Sequence, residues 1–267
     1  MALEMSAATR TVLGAALAAS LTGGLSAAPQ ASHVSELLAA ARQALGGEQR
    51  LSAIKTFKIT GSVATPERDD LGRARPTRDY GTFEIDCELP DKFVQIENRA
   101  MRQSDASISG GGTSVYHSVT TLGFNGDRVI YAHPLDSYSA SPPLPPTSAV
   151  LEAQLRRARD GFANLTLGVF AASFAGVPLQ FNESAGPDAA RAVLVTGQDF
   201  RGTLLFNART HLPQRLERVS YDDYRDVDGQ KVPFLITNGR DEWRLKEFLV
   251  NVVIPSKVFT PSGKEAR

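Results

Sequence analysis

Alternation of apolar and polar residues along short segments is the feature that most limits how this chain can fold. In TFEIDCEL, Phe83, Ile85 and Cys87 alternate with acidic residues, and TFKITGSV separates Phe57 from Ile59 by a single polar residue. A period of two is typical of an antiparallel strand with one face in the core and the other in solvent. About five such segments precede a helical region and about five follow it, so we expect a sheet of about ten strands.

Two dipeptides mark tight turns between these strands. Asn125-Gly126 joins SVYHSVTTLGF to RVIYAHP, and Asp228-Gly229 lies within YDDYRDVDGQKVPFLI. Both pairs tolerate the positive φ angles of two-residue hairpin turns. By contrast, residues 64–79 are polar and contain prolines, and residues 103–114 contain three successive glycines. We expect exposed loops in both of these ranges.

The final strand changes its apolar register. Trp243 and Leu245 are apolar at odd positions, whereas Phe248 and Val250 are apolar at even positions. One extra residue near Lys246-Glu247, a β-bulge, would place all of these side chains on one face.

Two segments have helical periodicity instead. Residues 33–47 form an amphipathic helix, with Ser32 or Ser35 as the N-cap and Gly46-Gly47 at the end. Residues 147–176 form the second helical region, which lies between the two runs of strands. The element order predicts a mainly β (α+β) domain, an antiparallel meander with one helix at its start and one in its middle.

The central helical region has two different halves. Ser148 is the expected N-cap, and Gly161 is expected to break the helix. From Phe162 to Phe174 the apolar residues do not share one narrow face, so other parts of the chain must cover this stretch. The sequence leaves two interpretations open, a core helix or a lid over a cavity.

The N-terminus predicts export. Residues 11–30 are uncharged and rich in alanine and glycine, and small residues precede Pro29, as at a signal-peptidase site. We therefore expect a signal peptide at residues 1–28, and a single domain at residues 29–267 that is located in the periplasm or secreted. No other uncharged apolar stretch approaches ~20 residues, so we do not expect a transmembrane helix. Because Cys87 is the only cysteine, no intramolecular disulfide can form, and a buried thiol is expected.

Catalytic and cofactor motifs are missing from the sequence. The four histidines show no zinc-binding spacing, no Gly-x-Ser-x-Gly segment is present, and no dinucleotide fingerprint follows a strand. Lysine plus arginine and aspartate plus glutamate number 29 each, so no net field favours nucleic acid. We therefore predict a non-enzyme with no metal, cofactor or nucleic-acid partner.

The C-terminal motifs resemble a known family. THLPQRL, YDDYRDVDGQKVPFLIT and VNVVIPSKVFTP, with the preceding helix and meander, resemble the LolA/LolB-like group of bacterial outer-membrane lipoprotein-sorting proteins. In layout the resemblance covers most of residues 36–262. It implies an incomplete β-barrel closed by helices, an apolar cavity for lipoprotein acyl chains, no cofactor, and an outer-membrane acceptor protein as a candidate partner.

The functional hypothesis is a periplasmic carrier or sensor of a lipid, a lipoprotein acyl chain or another hydrophobic small molecule. Each methylene group that leaves water contributes ~0.8 kcal/mol to binding, so apolar walls are sufficient for such a site. The expected walls are Phe57, Ile59, Phe83, Ile85, Val94, Ile96, Phe206, Phe234, Ile236 and Trp243, and the helical lid contributes Phe162, Phe170 and Phe174. Two alternatives are a non-catalytic protein–protein interaction module of the cell envelope and an enzyme whose site has no recognisable motif.

Overall fold

The computed structural model describes residues 32–68, 74–104, 113–132 and 146–261. The predicted signal peptide lies outside these ranges. The helices are α1 (His33–Leu45), α2 (Glu48–Ala53) and α3 (Ser148–Phe170), with 3-10 turns at Ala189–Arg191 and Ser256–Phe259. The strands are β1 (Thr56–Arg68), β2 (Ala74–Glu88), β3 (Lys92–Ser104), β4 (Thr113–Asn125), β5 (Arg128–Ala132), β6 (Gln180–Glu183), β7 (Ala192–Thr196), β8 (Arg201–Phe206), β9 (Pro213–Leu216), β10 (Val219–Val227), β11 (Gln230–Thr237) and β12 (Glu242–Val250).

The strands of the described residues form one antiparallel sheet of twelve, in the order β5-β4-β3-β2-β1-β12-β11-β10-β9-β8-β7-β6. The sheet consists of two meanders, β1–β5 and β6–β12, which are joined where β1 pairs with β12. It remains open because, within the described ranges, the edge strands β5 and β6 do not pair with each other. Helix α3 contacts β3, β4 and β5 in one meander and β9 and β11 in the other, so the sheet curves around this helix. The predicted incomplete barrel with an N-terminal and a central helix is confirmed, with twelve strands instead of about ten.

The Asp228-Gly229 turn and the bulge are confirmed, whereas the first hairpin turn is shifted by one residue. Asn125 pairs with Arg128 as the last residue of β4, so the two turn residues are Gly126 and Asp127 and not Asn125 and Gly126. Val227 pairs with Gln230, so Asp228 and Gly229 form the two-residue turn, with φ angles of 51° and 79°. In β12, Glu247 pairs with Thr60 and Leu245 pairs with Gly61, so Lys246 is the extra residue.

The loop prediction for residues 64–79 was wrong. Strand β1 continues to Arg68 and β2 begins at Ala74, with Glu67 paired to Arg75. Likewise, β3 includes Ser104 and β4 includes Thr113, which pair with each other at the ends of the range predicted as a second loop. Backbone hydrogen bonds alone can extend a hairpin, so the loss of apolar alternation did not mark the ends of these strands.

Helix α1 follows its sequence signals closely. The Ser32 hydroxyl accepts a hydrogen bond from the Ser35 N–H at 3.3 Å, and Gly46 ends the helix with φ 135°. Val34, Ala41 and Leu45 are its buried residues, which is the apolar stripe expected from the spacing. This helix packs against β6, β7 and β11 as well as α3.

Helix α3 differs from the prediction at both marked residues. Thr147, not Ser148, is the N-cap, and its hydroxyl accepts a hydrogen bond from the Val150 N–H at 3.4 Å. The helix continues through Gly161 without a break, because one interior glycine costs a helix only about 1 kcal/mol and tertiary packing can offset that cost. It ends where Ala171 adopts a left-handed conformation with φ 47°.

Candidate functional site

The second half of α3 fills much of the hollow in the curved sheet. Phe162 and Phe170 are each 1% exposed. The Phe162 ring centroid lies 5.8 Å from that of Phe93 and 5.3 Å from that of Phe124. The Phe170 ring lies 5.6 Å from the Phe57 ring. Around the second half of α3, side chains of the protein itself occupy the volume in which the sequence suggested a ligand cavity.

Most of the predicted wall and lid residues belong to this one core. The buried members are Phe57, Ile59, Phe83, Ile85, Phe162, Phe170, Phe206 and Phe234, and the partly buried members packed against them are Phe174, Ile236 and Trp243. Phe174 lies beyond the end of α3, in an isolated bridge with Val177.

Val94 and Ile96 do not join the predicted walls. They pack in a separate cluster with Ile130 and Phe259. The pairing register explains this difference, because Ile85 lies opposite Gln95 and therefore shares its face, whereas Val94 and Ile96 face the other side of the sheet. The assignment of these two residues to the cavity wall is therefore corrected.

Hydrogen bonds hold the second half of α3 in place. The Tyr221 hydroxyl donates to the Asn164 carbonyl oxygen at 2.7 Å. The single proton of the Tyr224 hydroxyl is shared between the carbonyl oxygens of Pro213 at 2.8 Å and Gly168 at 3.2 Å. Arg42 donates to the Phe170 carbonyl oxygen at 2.9 Å. Gly168 and Phe170 are among the last four residues of the helix, whose carbonyl groups have no intrahelical partner, whereas Asn164 lies one turn earlier. Of the two interpretations left open by the sequence, the packing favours a fixed core helix over a mobile lid.

A polar groove of about 600 Å³ runs beside the first half of α3. Its walls come from β3, β4, β5, α3, the connection between β11 and β12, and the start of β12. The lining residues are Gln95, Glu97, Arg99, Ser118, Thr120, Leu122, Tyr131, Gln154, Arg157, Gly161, Asn238, Arg240, Asp241 and Trp243.

A smaller, mostly apolar pocket of about 140 Å³ adjoins this groove. It is lined by Ile85, Phe93, Gln95, Gly161, Asn164, Leu165, Val219, Ile236, Asn238 and Trp243. Gln95, Gly161, Asn238 and Trp243 line both spaces, so the pocket and the groove are adjacent. The Trp243 ring lies 4.9 Å from the Phe83 ring, which fixes its position between the two spaces.

An ionic network crosses the floor of the groove. Arg99 donates to Glu97 at 2.6 Å and to Asp241 at 2.9 Å, and the Thr65 hydroxyl donates to Asp241 at 2.5 Å. The Arg99, Glu97 and Asp241 side chains are 18%, 16% and 12% exposed. Burial alone would raise the pKa of Asp241, but the hydrogen bonds from Arg99 and Thr65 outweigh it and hold this pKa below its usual value. Asp241 is therefore ionised at neutral pH and is poorly suited to accept a proton.

Two further arginines of the groove form no side-chain hydrogen bond or ion pair with these carboxylates in the described ranges, although the charge of Arg240 also lowers the pKa of Asp241. Arg157 lies on α3 and Arg240 lies between β11 and β12, and both residues are exposed. Within the described part of the chain, neither guanidinium forms an ion pair. The groove therefore carries three arginines and two carboxylates, and the two carboxylates are held by one of those arginines.

Sequence reasoning missed this groove, although β3 carried a signal. In KFVQIENRA, Phe93 is followed on the same strand face by Gln95, Glu97 and Arg99, so this face changes from apolar to charged along the strand. The sequence interpretation followed the apolar residues Val94 and Ile96 and therefore took the opposite face as the one lining the cavity.

Comparison of the chain with protein-family models, curated proteins and solved structures finds no match. Among the described residues, no group of three or more histidine, cysteine, aspartate or glutamate side chains is arranged to hold a metal ion. None of the helices in the same ranges combines the length and the apolar character needed to span a membrane.

Proposed function

We propose that this protein is an exported carrier or sensor that binds an amphiphilic small molecule between α3 and the concave face of the sheet. The observation that carries the proposal is the adjacency of the polar groove and the apolar pocket, which share the lining residues Gln95, Gly161, Asn238 and Trp243. A polar end would lie in the groove, and an apolar end would enter the pocket. Export to the periplasm or the cell exterior follows from the predicted signal peptide at residues 1–28.

The size of the apolar pocket limits the ligand. A dry cavity of about 150 Å³ lined by aliphatic and aromatic side chains is large enough for benzene. The pocket of about 140 Å³ would therefore accept one ring or one short alkyl segment. Because Phe162 and Phe170 already fill the rest of the hollow, the proposal narrows from lipoprotein acyl chains to a ligand with a single small apolar group.

The ionic network fits a binding role better than a catalytic role. Glu97 and Asp241 are both engaged by Arg99, and the lowered pKa of Asp241 disfavours proton transfer. We propose that the network keeps the groove polar and fixes its shape.

The chain has an internal reporter for this site. Trp243 is the only tryptophan and lines both the groove and the pocket. We expect octyl compounds, added below their micelle-forming concentrations, to produce a saturable change in tryptophan fluorescence. Gently purified protein should also release a small amphiphile that is detectable by mass spectrometry.

A matched pair of variants tests the location of the site. A Cβ on Gly161 would lie 3.9 Å from the Phe93 ring, so the first carbon of a larger side chain fits and the remainder would enter the shared space. Gly161→Leu should weaken octyl binding at least ~10-fold, which corresponds to about 1.4 kcal/mol. Ala153→Leu adds a leucine on an exposed part of the same helix and should bind like the wild type.

Two outcomes would contradict the proposal. The first is a wild-type protein whose tryptophan signal responds to no amphiphile and that releases none on purification. The second is unchanged binding by Gly161→Leu, provided that its circular dichroism spectrum and melting temperature show a folded protein.

A further inference from the structure

We infer that the polar end of the ligand is an anion, a carboxylate or a phosphate, and that Arg157 and Arg240 recognise it. This inference rests on the proposed function and specifies the class of ligand. It follows from the charges that line the groove. Of its three arginines, Arg99 is ion-paired with Glu97 and Asp241, whereas Arg157 and Arg240 form no ion pair within the described residues.

Arg99 is not available to a ligand. Its guanidinium is 18% exposed and donates to both Glu97 and Asp241. These two carboxylates are in turn 16% and 12% exposed, so they present little negative surface to the groove. A cationic head group would have to compete with Arg99 for them, which makes a cation a poor ligand for this site.

Arg240 is held at the groove by its backbone and not by its side chain. The Asn238 side-chain oxygen accepts hydrogen bonds from the Arg240 N–H at 3.1 Å and from the Asp241 N–H at 2.7 Å. Gly239 completes the turn with φ 81°. The turn fixes the backbone of Arg240, while the Arg240 guanidinium group has no ion-pair partner within the described residues.

Arg157 lines the groove from α3, and Arg240 lines it from the sheet side. A guanidinium group can donate two parallel hydrogen bonds to a carboxylate or a phosphate, and such charge-assisted bonds are stronger than bonds between neutral groups. Ser118, Thr120 and Gln154 add neutral donors in the same groove. The groove carries three arginines against two carboxylates, so an anionic ligand would balance the remaining positive charge.

The test is a set of ligands that share an octyl tail and differ in the head group: octanoate, octyl phosphate, octyl glucoside and octyltrimethylammonium. Trp243 fluorescence gives the dissociation constant of each. We expect at least one anion to bind ~10-fold or more tightly than the neutral and cationic compounds, and this preference should fall as salt is added. The comparison of octanoate with octyl phosphate shows which anion the groove prefers.

Variants that remove one positive charge test whether Arg157 and Arg240 bind the anionic head group. Arg157→Gln and Arg240→Gln should each weaken the preferred anion about 10-fold and weaken octyl glucoside by a clearly smaller factor. Arg156→Gln is the matched control, because Arg156 is an exposed neighbour on the same helix that lines a different surface depression. It should have no effect on either ligand.

The inference would be overturned if the glucoside or the ammonium compound bound as tightly as both anions. It would also be overturned if the Arg157 and Arg240 variants weakened all head groups equally. These results differ from a failure of the proposed function, in which the wild-type protein would bind none of the four compounds.

Discussion

Two glycines of α3 provide a sharp test of how this helix is packed. Gly161 and Gly168 lie in the same helix, but an added methyl group would meet very different surroundings. A Cβ on Gly161 would lie 3.9 Å from Phe93 and 4.0 Å from Gln95, which is ordinary van der Waals distance. A Cβ on Gly168 would lie 2.6 Å from Cδ1 of the Tyr221 ring and even closer to Cε1.

The two alanine substitutions should therefore change stability in opposite directions. Gly161→Ala should raise the free energy of unfolding by ~0.5–1 kcal/mol, because alanine favours the helical backbone and nothing is displaced. Gly168→Ala gains the same backbone term but must move the Tyr221 ring, at an overpacking cost of ~1–3 kcal/mol. Moving the ring also weakens the hydrogen bond from the Tyr221 hydroxyl to Asn164, which is ~1 kcal/mol more. The net expectation is a loss of ~1–3 kcal/mol.

Urea unfolding of residues 29–267, followed by circular dichroism, measures both changes in the free energy of unfolding. The comparison requires that the dependence of this free energy on urea concentration is the same for the wild type and the variants. A Tyr221→Leu background serves as the control, because removal of the ring should turn Gly168→Ala from destabilising to neutral or stabilising. If both alanine variants shifted the unfolding midpoint in the same direction in the wild-type background, the described contact between α3 and β10 would be incorrect.

Three further predictions concern other buried groups. Burial raises the pKa of Asp86 from 3.8 to about 6, against the opposing charge of Lys58. The folded protein therefore holds this proton more tightly than the unfolded chain, so the free energy of unfolding should fall as the pH rises from about 4 to about 6, and urea titrations of Asp86→Asn should lack this slope. Burial also raises the pKa of the Cys87 thiol, so a thiol reagent should label it only after unfolding, and rapid labelling of the native protein would contradict its burial. Tyr224→Phe removes the one O–H donor shared by the Gly168 and Pro213 carbonyl oxygens and should lower the free energy of unfolding by ~1–3 kcal/mol, and an unchanged urea midpoint would contradict this contribution.

The sheet could be predicted from the sequence because burial of one face causes the alternation that the sequence displays. The extra residue at Lys246 was visible for the same reason, since it shifts the parity of the apolar positions in β12. The Asp228-Gly229 turn requires two residues that accept positive φ, and the sequence supplies them.

The candidate site was harder to predict from the sequence because it depends on the register in which neighbouring strands pair. The sequence alone does not state that Ile85 pairs with Gln95, and this pairing decides which face of β3 meets α3. The packing of Phe162 was ambiguous for a related reason. A helix that is apolar nearly all round can serve as a core or as a lid, and only the volume of the surrounding sheet separates the two.

The pairing of β1 with β12 has a consequence for biosynthesis. The first strand of the sheet is synthesised early, yet its second neighbour is the last strand of the chain, and the hydrogen bond from the Lys55 N–H to the Asn251 side chain joins residues 196 apart. Until β12 emerges, one side of β1 presents unpaired backbone groups that can recruit a foreign strand. The middle of the sheet is thus the last part to be completed. A chain truncated before β12 would expose an unpaired edge of β1 at the centre of the fold, and this edge would promote aggregation.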